Sequence, residues 1–159
     1  AALRSAGLTV IDNARLFLER GRSLAADSPH ADSLCIAGFG DLGHSDTRPH
    51  DALDGVDPDT ARLVLAHHPD TAEEAIFRTD DSLRIDLMLS GHTHGGQIHL
   101  PFVGPPIIPS RYGRKYLGGL VEGPAFRVLI SRGAGMTMIP IRVGAPPEVS
   151  EVTLIRAEK

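Results

Sequence analysis

Only one cysteine, Cys35, occurs in the 159 residues, so no disulfide can close within the chain and no cysteine-based zinc site can be built. Flanked by Ser33-Leu34 and Ile36-Ala37, it reads as a small buried hydrophobe and not as a nucleophile. No run of basic residues occurs. With a formal net charge of -4 and a pI of about 6.0, no binding along a nucleic-acid backbone is expected. No apolar stretch approaches the ~20 residues of a membrane-spanning helix, and no internal repeat or low-complexity tract is present. The glycine-rich stretch 38–46 lacks the glycine spacing and the Lys-Ser/Thr of a P-loop, so it does not read as a phosphate cradle. The chain does not open on Met, so the lack of a visible signal peptide carries nothing about export.

What is present has the composition of a folded domain, 42% hydrophobic and 23% charged, in a chain long enough for a real core. Ala1 to Gly7 reads as the last turns of a helix closed by a glycine cap. Leu8–Ile11 reads as a short strand. Arg15–Glu19 leads into a hairpin-like turn at Arg20-Gly21-Arg22, and Ser33–Gly38 is a further strand. Pro58–Arg62 suggests a helical turn. Leu63–Ala66 is a continuous apolar run, as in a fully buried strand. Asp70 followed by Glu73 and Glu74 opens a helix, and Ile85–Leu89 is the next buried strand. Strand, helix and strand at this spacing make a βαβ unit. Beyond it, Gln97–Leu100, Phe126–Ser131, Ile139–Val143 and Val149–Ile155 are strand-like and point to a largely antiparallel C-terminal sheet. Residues 101–119, with prolines at 101, 105, 106 and 109, form a long irregular loop of the kind that carries function.

The chemistry concentrates in histidines. Gly91-His92-Thr93-His94-Gly95-Gly96-Gln97-Ile98 follows directly on the second buried strand. In extended geometry the His92 and His94 side chains share a face, roughly 7 Å apart at twice the rise per residue. One metal could be held by the pair only if the loop curls, whereas two metals about 3.5–4 Å apart could take one histidine each. The glycines permit the positive φ that aims both rings inward. His67 ends the preceding buried strand, and open α/β sheets place ligands at that edge. If the two strands are neighbours, His67 and His92 converge. Neutral imidazoles suit zinc, manganese, iron or nickel. His68 should point away from His67, and His99 reads as a surface residue. His30, His44 and His50 sit in polar loops. Arg111, Arg114 and Lys115, interleaved with Tyr112 and Tyr116, form a small basic cluster. Arg111, Tyr112 and, after a later strand, Arg132 are candidate contacts for an anionic substrate.

These motifs resemble the calcineurin-like metallophosphoesterases. Leu65-Ala66-His67-His68-Pro69-Asp70 is similar to the family's strand-end histidine followed by any residue, Pro and Asp. The Gly-His-Thr-His block is followed by Gly95-Gly96-Gln97, Leu100-Pro101-Phe102, Pro109-Ser110-Arg111-Tyr112-Gly113, Ser131-Arg132-Gly133-Ala134-Gly135, Pro140-Ile141-Arg142 and Pro146-Pro147-Glu148. That succession resembles a bacterial branch of envelope-associated phosphodiesterases, including enzymes that act on lipid or cell-wall phosphoesters. The resemblance implies an α/β fold, the metallophosphoesterase α-β-β-α sandwich. It implies two divalent metal ions, with His67 and His92 on one and His94 on the other. The metal pair would generate hydroxide from a bound water and clamp the phosphoryl oxygens during in-line attack. It further implies a small-molecule or lipid phosphoester substrate and membrane-surface association of a parent protein.

The family's Asp-x-His, Gly-Asp-x-x-Asp and Gly-Asn-His-Asp/Glu blocks do not occur. Gly40-Asp41-Leu42-Gly43-His44 has only the first two letters of the second. Residues 1–159 are therefore expected to be the C-terminal part of a single domain with its N-terminal half missing, inactive alone, with no catalytic acid assignable and with an apolar face or sheet edge left open. Two rivals stand beside this. Metallo-β-lactamase-type enzymes also use His-x-His, but their motif continues to Asp-His, where Gly95-Gly96 stands. A non-catalytic metal-binding module is the other, although structural zinc usually needs four ligands.

Overall fold

The structure, a computed structural model, describes residues 2–19, 33–44 and 46–155. The first turn, α1 (Ala2–Ser5), ends as expected at Gly7, whose φ is +78°. The Leu8 amide donates to the Leu3 carbonyl and the Gly7 amide to that of Arg4, both at 3.1 Å, which is the paired closure of a Schellman motif. No strand forms over Leu8–Ile11. The chain instead bends at Asn13, φ +46°, and the Ile11 carbonyl lies so close to Gly38 that a Cβ there would stand 2.3 Å from it.

Six strands form one sheet: β1 (Ala14–Leu18), β2 (Leu34–Gly38), β3 (Ala61–Leu65), β4 (Leu87–Ser90), β5 (Gly119–Glu122) and β6 (Arg127–Ile130). Their order is β1-β2-β3-β4-β6-β5. The four central strands run parallel, and β1 and β5 close the edges antiparallel. The C-terminal sheet is therefore not largely antiparallel. The strand expected at Phe126–Ser131 joins β4 in parallel, and residues 91–126 supply the long crossover that such a pairing requires. Gln97–Leu100 makes only isolated bridges, Ile98 with Val143 and Gly144, and Leu100 with Gly104. Ile139–Val143 and Val149–Ile155 form no strands. Pro140 removes a ladder donor from the first, and Pro146 and Pro147 interrupt the chain between the two. The turn expected at Arg20–Arg22 lies outside the described residues, as does His30.

Two further expectations change locally. Residues 58–60 form a turn that leads straight into β3. The helix expected from Asp70 is a 3-10 turn, Pro69–Glu73, followed after a break by α3 (Ile76–Thr79). Asp70 does not cap it. Its buried carboxylate accepts from Ser110 Oγ at 2.6 Å and from the Arg111 amide at 2.8 Å. Glu73 in the same turn takes Lys115 Nζ at 2.5 Å and Tyr116 OH at 2.6 Å. Two acids of one short turn thus pin the long proline-rich loop. Burial pushes the Glu73 carboxyl up, and the bonds from Lys115 and Tyr116 outweigh that and hold it low.

The sheet has unlike faces. Cys35, Ala37, Val64, Met88, Val128 and Ile130 are fully buried on one, against Phe39, Phe77, Phe126 and α2 (Pro49–Leu53). Burial raises the Cys35 thiol, which fits its reading as a core side chain. The other face carries two rows that run across the strands, Leu16-Ile36-Leu63-Leu87 and Leu65-Leu89-Leu129-Leu120. This face is more open, with Leu65 39% and Leu120 57% exposed.

Candidate metal centre

Parallel pairing puts the ends of β3 and β4 side by side and continues past them. The Ala66 amide donates to the Leu89 carbonyl and the Gly91 amide to that of His67, both at 3.1 Å. His67 and His92 therefore emerge at equivalent strand ends. Their rings meet edge to face with centroids 5.0 Å apart, and His92 Nδ1 lies 3.3 Å from His67 Nε2. Burial first, then the neighbouring histidines, lowers both pKa values, that of His92 to about 4. Both rings are thus neutral near pH 7, the form in which imidazole ligates a metal.

His68 does not point clear of this pair. Its ring is tilted against His92 with centroids 3.8 Å apart, and its buried Nδ1 lies 3.1 Å from Asp41 Oδ1 without a hydrogen bond. Asp41 in turn bonds His44 Nδ1 at 2.6 Å and the Gly43 amide at 2.9 Å. The His44 bond, then that of the amide, keeps its carboxyl below the usual range. His50 stays at the surface beside Asp54.

The loop after β4 is held in an unusual conformation. His92, His94 and Gln97 have φ of +69°, +50° and +50°, and Gly95 and Gly96 between them are also positive. For a residue with a Cβ this region costs about 1–2 kcal/mol, so the surroundings must over-determine it. They do so from several sides. Thr93 is buried and donates to the Leu117 carbonyl at 3.2 Å. The Gln97 side chain donates to the carbonyls of Thr137 and Ile139 and accepts from the Thr137 amide at 2.7 Å. His99 turns inward, with Nε2 2.7 Å from the Gly95 carbonyl, so it is not a plain surface residue. A Cβ on Gly96 would meet Pro105 at 2.4 Å, which is why glycine stands there. His94 Nδ1 lies 3.2 Å from the Gly135 carbonyl.

His67, His92 and His94 line one cleft of about 430 Å³ together with the apolar side chains of Ile98, Pro106, Ile107, Pro109, Met138 and Ile139. The donor set is chemically suited to a metal with nitrogen ligands: two neutral rings abut at adjacent strand ends and a third shares their cleft. Among the described residues no three of His, Cys, Asp and Glu converge as a closed metal-binding group. Three imidazoles in one cleft are at most a partial donor set for such an ion.

The candidate substrate contacts lie outside the lining. Arg111 and Tyr112 are exposed and stand two and three residues after the lining residue Pro109. Arg132 packs over Gly95 and Gly118, with Nε 3.6 Å from Glu148 Oε2. Of the rest of the basic cluster, Lys115 is paired with Glu73 and Arg114 bonds the Val103 carbonyl. The sequence signals no role for the side chains of Asn13 or Arg142, and for Asp70 it signals a helix cap in place of the loop contacts it makes. Asn13 has its carbonyl oxygen between the amides of Gly40 and Arg48 and donates to the Asp46 carbonyl. Arg142 carries no sequence signal beyond the Pro-Ile-Arg motif in which it stands.

The chain is 45% identical over 92 residues to an uncharacterized metallophosphoesterase, YkuE, of Bacillus subtilis, covering 58% of this chain and 30% of that protein. It is 34% identical over 153 residues to the phosphodiesterase YaeI of Escherichia coli, covering 96% of this chain and 50% of the relative. A transmembrane protein with metallophosphoesterase domain from Bos taurus is 32% identical over 132 residues, 77% of this chain and 28% of its own length. The chain thus spans half or less of the length of these relatives. No family model and no solved structure matches it. One of these relatives is named a phosphodiesterase and the other two carry metallophosphoesterase in their names, and they come from bacteria and from an animal.

Proposed function

We propose that residues 1–159 carry part of the two-metal centre of a phosphoester hydrolase of the calcineurin-like superfamily, from its envelope-associated phosphodiesterase branch. The observation that carries this reading is the 3.3 Å approach of His92 Nδ1 to His67 Nε2 at neighbouring parallel strand ends, with His94 in the same cleft. His67 and His92 would hold one divalent ion and His94 the other. When bound, such a pair activates water and neutralises charge on the phosphoryl group. The chain's own part is to present neutral imidazoles at fixed strand ends and to offer an apolar wall to the organic part of a small-molecule or lipid phosphoester. Arg111 and Tyr112, just past Pro109, and Arg132, once freed from Glu148, would contact the phosphoester from the rim.

The family's Asp-x-His and Gly-Asp-x-x-Asp blocks, which would bring the acidic ligands, do not occur in the sequence, so this reading leaves those ligands to a part of the protein outside residues 1–159. The named relative with a transmembrane description motivates membrane-surface association of the whole protein. No helix among the described residues is long and apolar enough to cross a membrane. The alternative is a non-catalytic metal-binding module, but a structural metal site usually closes with four ligands, and no such group forms among the described residues.

Assay of bis(4-nitrophenyl) phosphate with added manganese or zinc separates these readings. A form as long as the relatives should turn over and lose most of that activity on His92→Ala, while residues 1–159 alone should stay near background. Metal binding without turnover in the long form would select the non-catalytic module.

A further inference from the structure

Arg142 is half-buried and belongs to no helix or strand, yet it is the most heavily bonded side chain near the cleft. Its guanidinium reaches five carbonyls: Arg132, Gly133 and Gly135 from Nη2, His94 and Ala145 from Nη1, with Gly135 also taken by Nε. Nη2 also lies 3.3 Å from His94 Nδ1. The same ring nitrogen lies 3.2 Å from the Gly135 carbonyl. These two contacts make opposite demands. An arginine only donates, so a bond from Nη2 would need a lone pair on Nδ1. A bond to the carbonyl needs a proton there.

Hydrogen counting decides between them. The five guanidinium hydrogens match the five carbonyls one to one: Nε–H serves Gly135, the Nη1 pair His94 and Ala145, and the Nη2 pair Arg132 and Gly133, which leaves Gly135 its second lone pair. Nothing remains for the ring. Nδ1 therefore carries its own proton and donates it to Gly135, and Nε2 keeps the lone pair.

We propose that Arg142 is a positioning residue: by gathering the carbonyls of 132, 133 and 135 it holds the Gly135 oxygen against His94 Nδ1 and fixes the tautomer that leaves Nε2 as the ligating nitrogen. The significance of that tautomer rests on the reading of His94 as a ligand, whereas the tautomer itself does not. Lysine cannot replace the planar fork, since it offers one point charge where five acceptors converge.

Long-range proton–nitrogen correlation spectra of the 15N-labelled, metal-free 159-residue chain, recorded near pH 8, read the tautomer directly. In the parent chain His94 should be the Nδ1–H form alone; the Nε2–H form there would overturn the proposal before any variant is made. In R142K, or in R142Q if that variant folds better, His94 should become a mixture of both forms, while His50, bonded to Asp54 at 2.8 Å, should not change. A single unchanged His94 tautomer in either folded variant would reduce Arg142 to a structural staple. Zinc titration of the same samples separates this proposal from the function on which it draws. A loss of about 10- to 100-fold in affinity is expected for R142K. No zinc binding by the parent chain, with the tautomer shift intact, would sink the metal reading and leave the proposal standing.

Discussion

The three candidate ligands are held in two different ways. His67 and His92 are set by the sheet: β3 and β4 pair in register over Leu63 to Leu65, the ladder continues to the Gly91 amide, and Val64 and Met88 beneath it are fully buried. His94, two residues further on, is set by no ladder. It stands in a left-handed loop held by the side chains of Gln97 and Arg142 and by the Gly135 carbonyl. A sheet corner is fixed by many cooperative contacts, whereas a polar staple depends on a few bonds. The two halves of the site should therefore fail separately.

The largest effect is expected under the sheet corner. Met88→Ala should cost about 2–5 kcal/mol of unfolding free energy and disturb His67 and His92 together. Denaturant unfolding checks this, and a cost below about 1 kcal/mol would show that the corner does not depend on the core beneath it. Gln97→Leu should cost less, about 0.5–1.5 kcal/mol, because the Thr137 amide loses its partner while the carbonyls of Thr137 and Ile139 keep the amides of Ile139 and Ile141. Amide exchange should quicken over residues 131–145 and stay unchanged in β3 and β4. Equal quickening in the strands would erase the distinction between corner and staple.

A smaller effect comes with pH. His67 and His92 have lowered pKa values in the folded chain, so between their ordinary value and the folded one the unfolded chain binds more protons than the native one. Stability of the metal-free chain is therefore full above about pH 6.5 and falls as pH drops toward about 4. The partial exposure of both rings keeps this loss modest. In His92→Ala the decline over that window should flatten, and an unchanged pH profile would contradict the assignment.

Much of the sheet corner was legible in the sequence. The apolar runs ending in His67 and His92 are short, continuous and separated by one crossover, which is the mark of neighbouring parallel strands. Cys35 and the Gly7 cap were equally readable, because each depends on local chemistry. The staple side was not. Its partners lie about forty residues apart, and its strand-like segments bury no alternating face: Val149 and Ile155 are exposed at 91% and 86%. Residues 139–155 have apolar content but too few ladder donors, so composition suggested strands where the chain forms coil. Asp70 misled for a related reason. An acid after a turn reads as a helix cap, and only the folded chain shows that Ser110 and Arg111 compete for it.

The metal assignment is tested most directly by adding manganese(II) to the 15N-labelled chain and following the paramagnetic broadening of each histidine ring. At substoichiometric metal the rings of His67, His92 and His94 should broaden first, with His50 left sharp and the His67/His92 broadening lost in His92→Ala. Broadening that begins at His44 or His50 beside their aspartates, or none at any ring up to millimolar metal, would contradict a metal centre at these strand ends.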